Sequence, residues 1–372
     1  MKKILSLIFI FVFSAQLAFT VSAKGEVLSV SAKSAVLIEA DGGEVIFEKN
    51  AEEKLPMAST TKIMTATVAL ERCDMEKIVT VSPDAVGIEG SSVYLVAGEK
   101  IKMRDLLYAL MLESANDAAA AVAIDVAGSV ESFAELMNEK AEELGLCNTH
   151  FTNPHGLDNE EHYTSAHDLA RLTAYALENA DFKEIVSTYK MTIPLPAGDG
   201  TRLLLNHNRL LKTYGPTIGV KTGFTKRSGR CLVSAAERDG VTLIAVTLSD
   251  PDDWSDHKAM MEYGFERYER RVLAEKGVSV ELPVIGGEAS GIRCTSSDVP
   301  ALTLPKGTRV VMRVEADRFV PAPVKKGDAL AKAIFSVEGR DVAQIPLFAV
   351  CDVPESTKRL GLLERILQLF GR

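Results

Sequence analysis

A serine and a lysine three residues apart at the start of a helix can supply a nucleophile and its base. Pro56-Met57-Ala58-Ser59-Thr60-Thr61-Lys62 has that form. Pro56 ends whatever element precedes it and leaves Ser59 near the first turn of the next one. Ile63, Met64, Thr67, Val68 and Leu70 then recur at roughly helical spacing, which predicts a helix. On it Ser59 and Lys62 share a face. A helix start also presents unpaired backbone N–H groups and the positive end of the dipole, so a hydroxyl could be activated and an oxyanion stabilised at one place.

Ser-x-x-Lys alone carries little, because it recurs at Ser187–Lys190 and Ser255–Lys258, where a surface serine beside a solvated lysine is the plain reading. Two rarer motifs accompany the first copy. Glu113-Ser114-Ala115-Asn116-Asp117 contains the only Ser-x-Asn, at a break between helical stretches. Val220-Lys221-Thr222-Gly223 contains the only Lys-Thr-Gly, on a predicted strand where Gly223 permits close backbone approach.

The elements that must position these groups can be read from the pattern. Ala35–Ala40 and Glu44–Phe47 flank Asp41-Gly42-Gly43 as a β-hairpin. Val79–Val81 and Ser92–Leu95 read as short extended pieces. Met103–Val126 reads as helices with a break, 131–145 as an amphipathic helix ended by Gly145, and Asp168–Asn179 as another. Strand character returns at Thr217–Thr222, and Cys231–Ala236 with Val241–Leu248 makes a second hairpin; 256–271 is expected to be helical. A lone hairpin is marginal, so early and late strands should share one antiparallel sheet with the helical middle packed on it. That is an α/β layered domain over residues 24–271. Residues 272–352 have short strand candidates between Gly, Pro and Lys-Gly turns, a small β-rich domain.

Both ends differ from the middle. Lys2 and Lys3 precede the apolar run Ile4–Phe13, and Val21-Ser22-Ala23 offers a cleavage site, so residues 1–23 are expected to be an export signal. In 353–372, a linker leads to Leu360–Phe370, apolar around most of a helix and too short to span a bilayer; it suits lying in an interface. The expected location is therefore the outer face of the cytoplasmic membrane, held peripherally. A net charge of −9 with no basic stripe argues against nucleic acid as a partner. The five cysteines (Cys73, Cys147, Cys231, Cys294, Cys351) form no disulfide framework and read as mostly buried small hydrophobes. His150, His155, His162 and His167 lie close in sequence without metal-ligand spacing, so no metal is expected.

The ordered set Ser59/Lys62, Ser114/Asn116 and Lys221/Thr222/Gly223 resembles the penicillin-binding serine D-alanyl-D-alanine carboxypeptidases, whose fold is shared with class A β-lactamases. Phe151-Thr152-Asn153-Pro154-His155-Gly156-Leu157 and Asn206-His207-Asn208 also look like stretches of that branch, as do the β-rich second domain and the terminal amphipathic helix. The resemblance implies a transpeptidase-like domain: an antiparallel sheet with helices on both faces and a helical subdomain. It implies peptidoglycan stem peptides ending in D-Ala-D-Ala as substrates, covalent binding of β-lactams, and no cofactor. It gives Ser59 the role of nucleophile, Lys62 that of base and Ser114 that of proton relay. Asn116 would hold Lys62 and the substrate amide, Lys221 would be a second cation, and Thr222 would meet the substrate carboxylate. The backbone N–H groups of Ser59 and Phe224, beside Gly223, would form the oxyanion hole.

The chain departs from the pattern after the strand that comes next after Lys-Thr-Gly, where some members carry an arginine for that carboxylate. Here Leu248-Ser249-Asp250-Pro251-Asp252-Asp253-Trp254 is acidic, which leaves Thr225 and Arg230 as helpers. Two other readings fit less well. A β-lactamase-like hydrolase would carry Glu-x-x-Leu-Asn between Ser114 and Lys221, and no such run occurs. A non-catalytic peptidoglycan-binding module would not need all three motifs intact.

Overall fold

The computed structural model describes residues 28–357 apart from 196–199, 275–276, 297 and 299. The expected export signal and the Leu360–Phe370 helix lie outside the described residues.

Strands β1 (Ser34–Glu39) and β2 (Val45–Lys49) form the first hairpin. A 3-10 turn over Ala58–Thr61 leads into α1 (Lys62–Arg72). A short ribbon of β3 (Ile78–Thr80) and β4 (Lys100–Lys102) precedes α2 (Met103–Leu112), α3 (Asn116–Ala127) and α4 (Val130–Glu143). Then come α5 (Ala166–Leu177), α6 (Ala180–Ser187), the hairpin of β5 (Lys190–Pro194) and β6 (Thr201–Leu205), and α7 (Leu210–Thr213). Strands β7 (Thr217–Thr225), β8 (Gly229–Arg238) and β9 (Val241–Leu248) are next, then α8 (Asp253–Arg267).

The early and late strands do share one antiparallel sheet, in the order β2-β1-β9-β8-β7. Successive strand side chains point to opposite faces. Val36, Ile38, Val233, Ala235, Ile244 and Val246 therefore join the core beneath α1, α5 and α6, whereas Ala35, Leu37, Ala236, Leu243 and Ala245 pack on Met260, Met261 and Phe265 of α8. Each Val, Leu or Ile so buried contributes about 1.5–3 kcal/mol, which explains why these strands read as continuous apolar runs. Helices α2, α3 and α4 stack on α1 away from the sheet, and β7 is the sheet edge facing that helical lobe.

The second domain has its own core of Leu282, Ile292, Phe335 and Leu347. Its strands are β10 (Tyr268–Val272), β11 (Val278–Ile285), β12 (Gly291–Ser296), β13 (Ala301–Pro305), β14 (Val310–Ala316), β15 (Val320–Pro321), β16 (Ala329–Val337) and β17 (Arg340–Ala349). Six of them form a sheet in the order β14-β16-β17-β12-β11-β15, with β10 and β13 paired separately.

Several local expectations are corrected. Helix α8 stops at Arg267, and 268–271 run as strand because they pair with β13. Ser92–Leu95 is an irregular loop rather than a strand, tied to the buried Asp117 carboxylate instead of a ladder partner. Cys231 and Cys294 are buried, but Cys147 and Cys351 are exposed.

Candidate active site

Ser59 lies in the 3-10 turn immediately before α1, and two glycines press that turn into place. Strand β7 passes so close that a Cβ on Gly223 would stand 3.0 Å from the Ser59 backbone nitrogen and 3.1 Å from the Met57 carbonyl oxygen. From the other side Gly156, at φ +88°, abuts the turn; a Cβ there would come within 2.0 Å of the Ala58 carbonyl oxygen. Ala58 itself has φ +48°, an uncommon conformation for a residue with a Cβ, held by these neighbours.

Lys62, on the first turn of α1, is fully buried. Its Nζ lies 3.0 Å from Ser59 Oγ, 2.7 Å from Asn116 Oδ1 and 2.5 Å from the His155 carbonyl oxygen. Burial holds its pKa well below the ordinary lysine value; the Lys221 charge lowers it further, and Asp117 opposes both. Lys221, also buried, is brought down to about 7, again by burial, with Glu113 opposing. Two buried lysines with depressed pKa values beside one cleft mark a functional site.

Asn116 begins α3, after Ser114 turns the chain at φ +59°. Its Nδ2 donates to the Glu89 carbonyl at 2.5 Å, which fixes the amide so that Oδ1 meets Lys62. Asp117 accepts from Ser92 Oγ at 2.7 Å and from the Leu95 N–H at 2.9 Å, anchoring the loop that carries Ser91 to the cleft. The Phe151–Leu157 stretch runs beneath α1. Thr65 Oγ1 donates to the Pro154 carbonyl at 2.6 Å, and His162 Nε2 meets Thr61 Oγ1 at 2.7 Å. Burial holds His155 at about 3 and His162 at about 4, so both are neutral near pH 7.

The cleft has a volume of about 470 Å³ and is lined by Ser59, Ser114, Thr222, Gly223 and Phe224, with His207, Arg230 and Trp254 among its other walls. The residues of the three motifs, with Phe224, are therefore brought together: Ser59, Ser114, Thr222, Gly223 and Phe224 in the lining, and Lys62 and Asn116 directly beneath Ser59 through their hydrogen bonds. Lys221 sits on β7 beside them, its Nζ donating to the Thr222 carbonyl at 3.0 Å. Of the two suggested helpers, Arg230 lines the cleft. Thr225 Oγ1 instead bonds Asp158 and Ser228. Sequence reasoning missed the His155 carbonyl, Gly156, Asp117 and His162. Only the Phe151–Leu157 resemblance pointed toward that segment.

A five-stranded antiparallel sheet covered on both faces, a helical lobe, and this cleft between lobe and edge strand define the transpeptidase/β-lactamase-like class. Comparison with known proteins narrows it. Residues 18–252 match the D-alanyl-D-alanine carboxypeptidase family, and residues 268–355 match the C-terminal domain of penicillin-binding protein 5. The chain is 34% identical to D-alanyl-D-alanine carboxypeptidase DacF of Bacillus subtilis, covering 92% of this chain and 90% of that protein. It is 33% identical to D-alanyl-D-alanine carboxypeptidase DacC of Escherichia coli, covering 93% and 90%. The crystal structure of penicillin-binding protein 5 from Haemophilus influenzae superposes with a TM-score of 0.68 at 29% identity, covering 88% of this chain and 98% of that one. The chain belongs to the D-alanyl-D-alanine carboxypeptidase family.

Proposed function

We propose that the protein removes the terminal D-alanine from peptidoglycan stem peptides ending in D-Ala-D-Ala, through an acyl-enzyme on Ser59, and that β-lactams acylate the same serine. The observation that carries this reading is the set of three partners around Lys62 Nζ. A neutral amine has two hydrogens and one lone pair. Asn116 Oδ1 and the His155 carbonyl can only accept, so they take both hydrogens and leave the lone pair aimed at the Ser59 hydroxyl. Burial and the Lys221 charge favour that neutral form.

In the first step Lys62 takes the Ser59 proton while Oγ bonds to the penultimate D-alanine carbonyl carbon. Backbone N–H groups of Ser59 and Phe224 stabilise the oxyanion. The C–N bond then breaks, and the proton returns from Lys62 through Ser114 to the leaving D-alanine amine. Water next attacks the ester, giving its proton to Lys62; the C–Oγ bond then breaks and Lys62 returns that proton to Ser59 Oγ, which frees the shortened peptide acid. With a β-lactam the broken C–N bond is inside the ring, so the leaving amine stays attached and obstructs that water. The mechanism calls on no cofactor. D-alanine should be released efficiently from a peptide ending in D-Ala-D-Ala while bound penicillin is released slowly. Rapid penicillin turnover without D-alanine release would instead support the β-lactamase-like reading.

For location, the proposal is export with cleavage after Ala23 and peripheral attachment to the outer face of the cytoplasmic membrane by the Leu360–Phe370 helix. Among the described residues no helix is long and apolar enough to cross a membrane. Arg359, Arg365 and Arg372 would each add about 1 kcal/mol at an anionic surface, with burial of the Leu and Phe side chains supplying more. A chain ending at Thr357 keeps the Ser356 N–H bond to the Gly286 carbonyl and should become soluble with its activity intact. If it still pelleted with membranes, the terminal helix would not be the anchor.

A further inference from the structure

We infer that Arg230, oriented by Asp253 and Trp254, is the residue that recognises the substrate's terminal carboxylate. This rests on the D-Ala-D-Ala reading and assigns within it the residue that selects a free acid. Position comes first. Arg230 lies opposite Phe224 in the β7–β8 register. Directly opposed side chains of an antiparallel pair share a face, and Thr222 shares the face of Phe224 by alternation. The guanidinium therefore rises beside the Lys-Thr-Gly segment and lines the same cleft as Ser59 and Thr222.

Its side chain is constrained and still accessible. Asp253 Oδ2 accepts from Nε at 3.0 Å and Oδ1 from Nη2 at 2.5 Å. The Trp254 ring centroid lies 5.7 Å from Cζ. Asp253 is almost fully buried whereas the Arg230 side chain is 43% exposed, so the carboxylate acts as a fixed backing for a cation that reaches solvent. Among the described residues no hydrogen bond engages Nη1, which leaves part of the guanidinium fork free for an incoming planar anion.

Charge favours Arg230 over the other cations at the site. Lys62 and Lys221 are buried and depressed, and Lys221, at about 7, is only half charged near neutrality. Arg230 is shifted upward by its bond to Asp253 and stays charged throughout. Two of the three aspartates in the acidic run, unfavourable to carboxylate binding on sequence alone, are engaged by the protein. Asp253 holds Arg230, and Asp250 Oδ1 accepts from Ser31 Oγ and the Asp252 N–H. A permanently charged, pre-oriented donor thus occupies the wall, and Asp253, the acid nearest to it, is committed to holding it.

The test uses two matched thioesters, an N-acyl-D-alanyl-thioglycolate with its carboxylate free and the same compound as its methyl ester; both are reactive enough for turnover to be measured. Arg230→Ala should lower kcat/KM on the free acid by about 10- to 100-fold, the range for losing a charged hydrogen bond, and leave the methyl ester nearly unchanged. If Arg230→Ala does not fold, Arg230→Lys keeps a partner for Asp253 and should still lose most of the acid-over-ester preference, because an ammonium lacks the fork. Equal losses on both thioesters, or an unchanged preference for the acid, would overturn the assignment. A wild-type enzyme inert toward both would overturn the carboxypeptidase reading itself, and the role of Arg230 with it.

Discussion

Replacing Asn116 by aspartate perturbs the proposed base by charge with almost no change in shape. Asn116 Oδ1 lies 2.7 Å from Lys62 Nζ, and both side chains are buried. An anion at that distance favours the ammonium form and should raise the lysine pKa by about 1–3 units. Acylation needs the neutral amine, so each unit removes about tenfold of the reactive form at a fixed pH below the pKa. The variant should therefore acylate with benzylpenicillin more slowly near pH 7, by up to about 1000-fold, and recover as the pH rises. Losing the Asn116 Nδ2 bond to the Glu89 carbonyl adds a stability cost of about 1–3 kcal/mol, which a thermal melt measures separately. Asn116→Ala is the control, since it removes the acceptor without adding charge and should be slow without an alkaline shift. The assay is the second-order acylation rate against pH for the three proteins. A rising limb in Asn116→Asp at or below the wild-type position would refute Lys62 as the base.

Two further outcomes are expected. Gly156→Ala would force a Cβ to within 2.0 Å of the Ala58 carbonyl oxygen at φ +88°; it should cost at least about 2 kcal/mol in denaturant unfolding and lose acylation, and an unaltered enzyme would contradict the support given to the Ser59 turn. His155, His162 and His257 have folded pKa values of about 3, 4 and 3, each lowered chiefly by burial below the ordinary 6.5. The unfolded chain thus binds more protons between those values and 6.5, so stability is full above about 6.5 and falls as pH drops, by up to about 1.4 kcal/mol per unit for each histidine. His257→Gln should make that decline shallower in urea titrations, and an unchanged slope would contradict the buried neutral state.

The parts legible in sequence were those written in side chains and period. The three motifs named Ser59, Lys62, Ser114, Asn116 and Lys221 because their residue types are chemically distinctive. The shared antiparallel sheet was readable because β1, β8 and β9 are apolar runs that need a common sheet, whereas its cover on both faces was only what the resemblance implied. What escaped was held by backbone or by distant contacts. The third ligand of Lys62 is a main-chain carbonyl, which has no residue signature. Gly156 looks like any loop glycine until α1 packs over it. The β5–β6 hairpin was missed even though Asp199-Gly200 offers a turn dipeptide, because its strands are short and the connection between them is longer than a two-residue turn. Tyr268–Arg271 continues a helical pattern, but pairing with β13 overrides local preference.

Whether Ser59 is the single nucleophile of this cleft can be read by mass spectrometry of the protein after incubation with benzylpenicillin. One equivalent of adduct is expected, confined to the peptide that carries Ser59, with no adduct in Ser59→Ala. Labelling that persists in Ser59→Ala, or that maps to another peptide, would mean that the nucleophile lies elsewhere and that Lys62 is not its base.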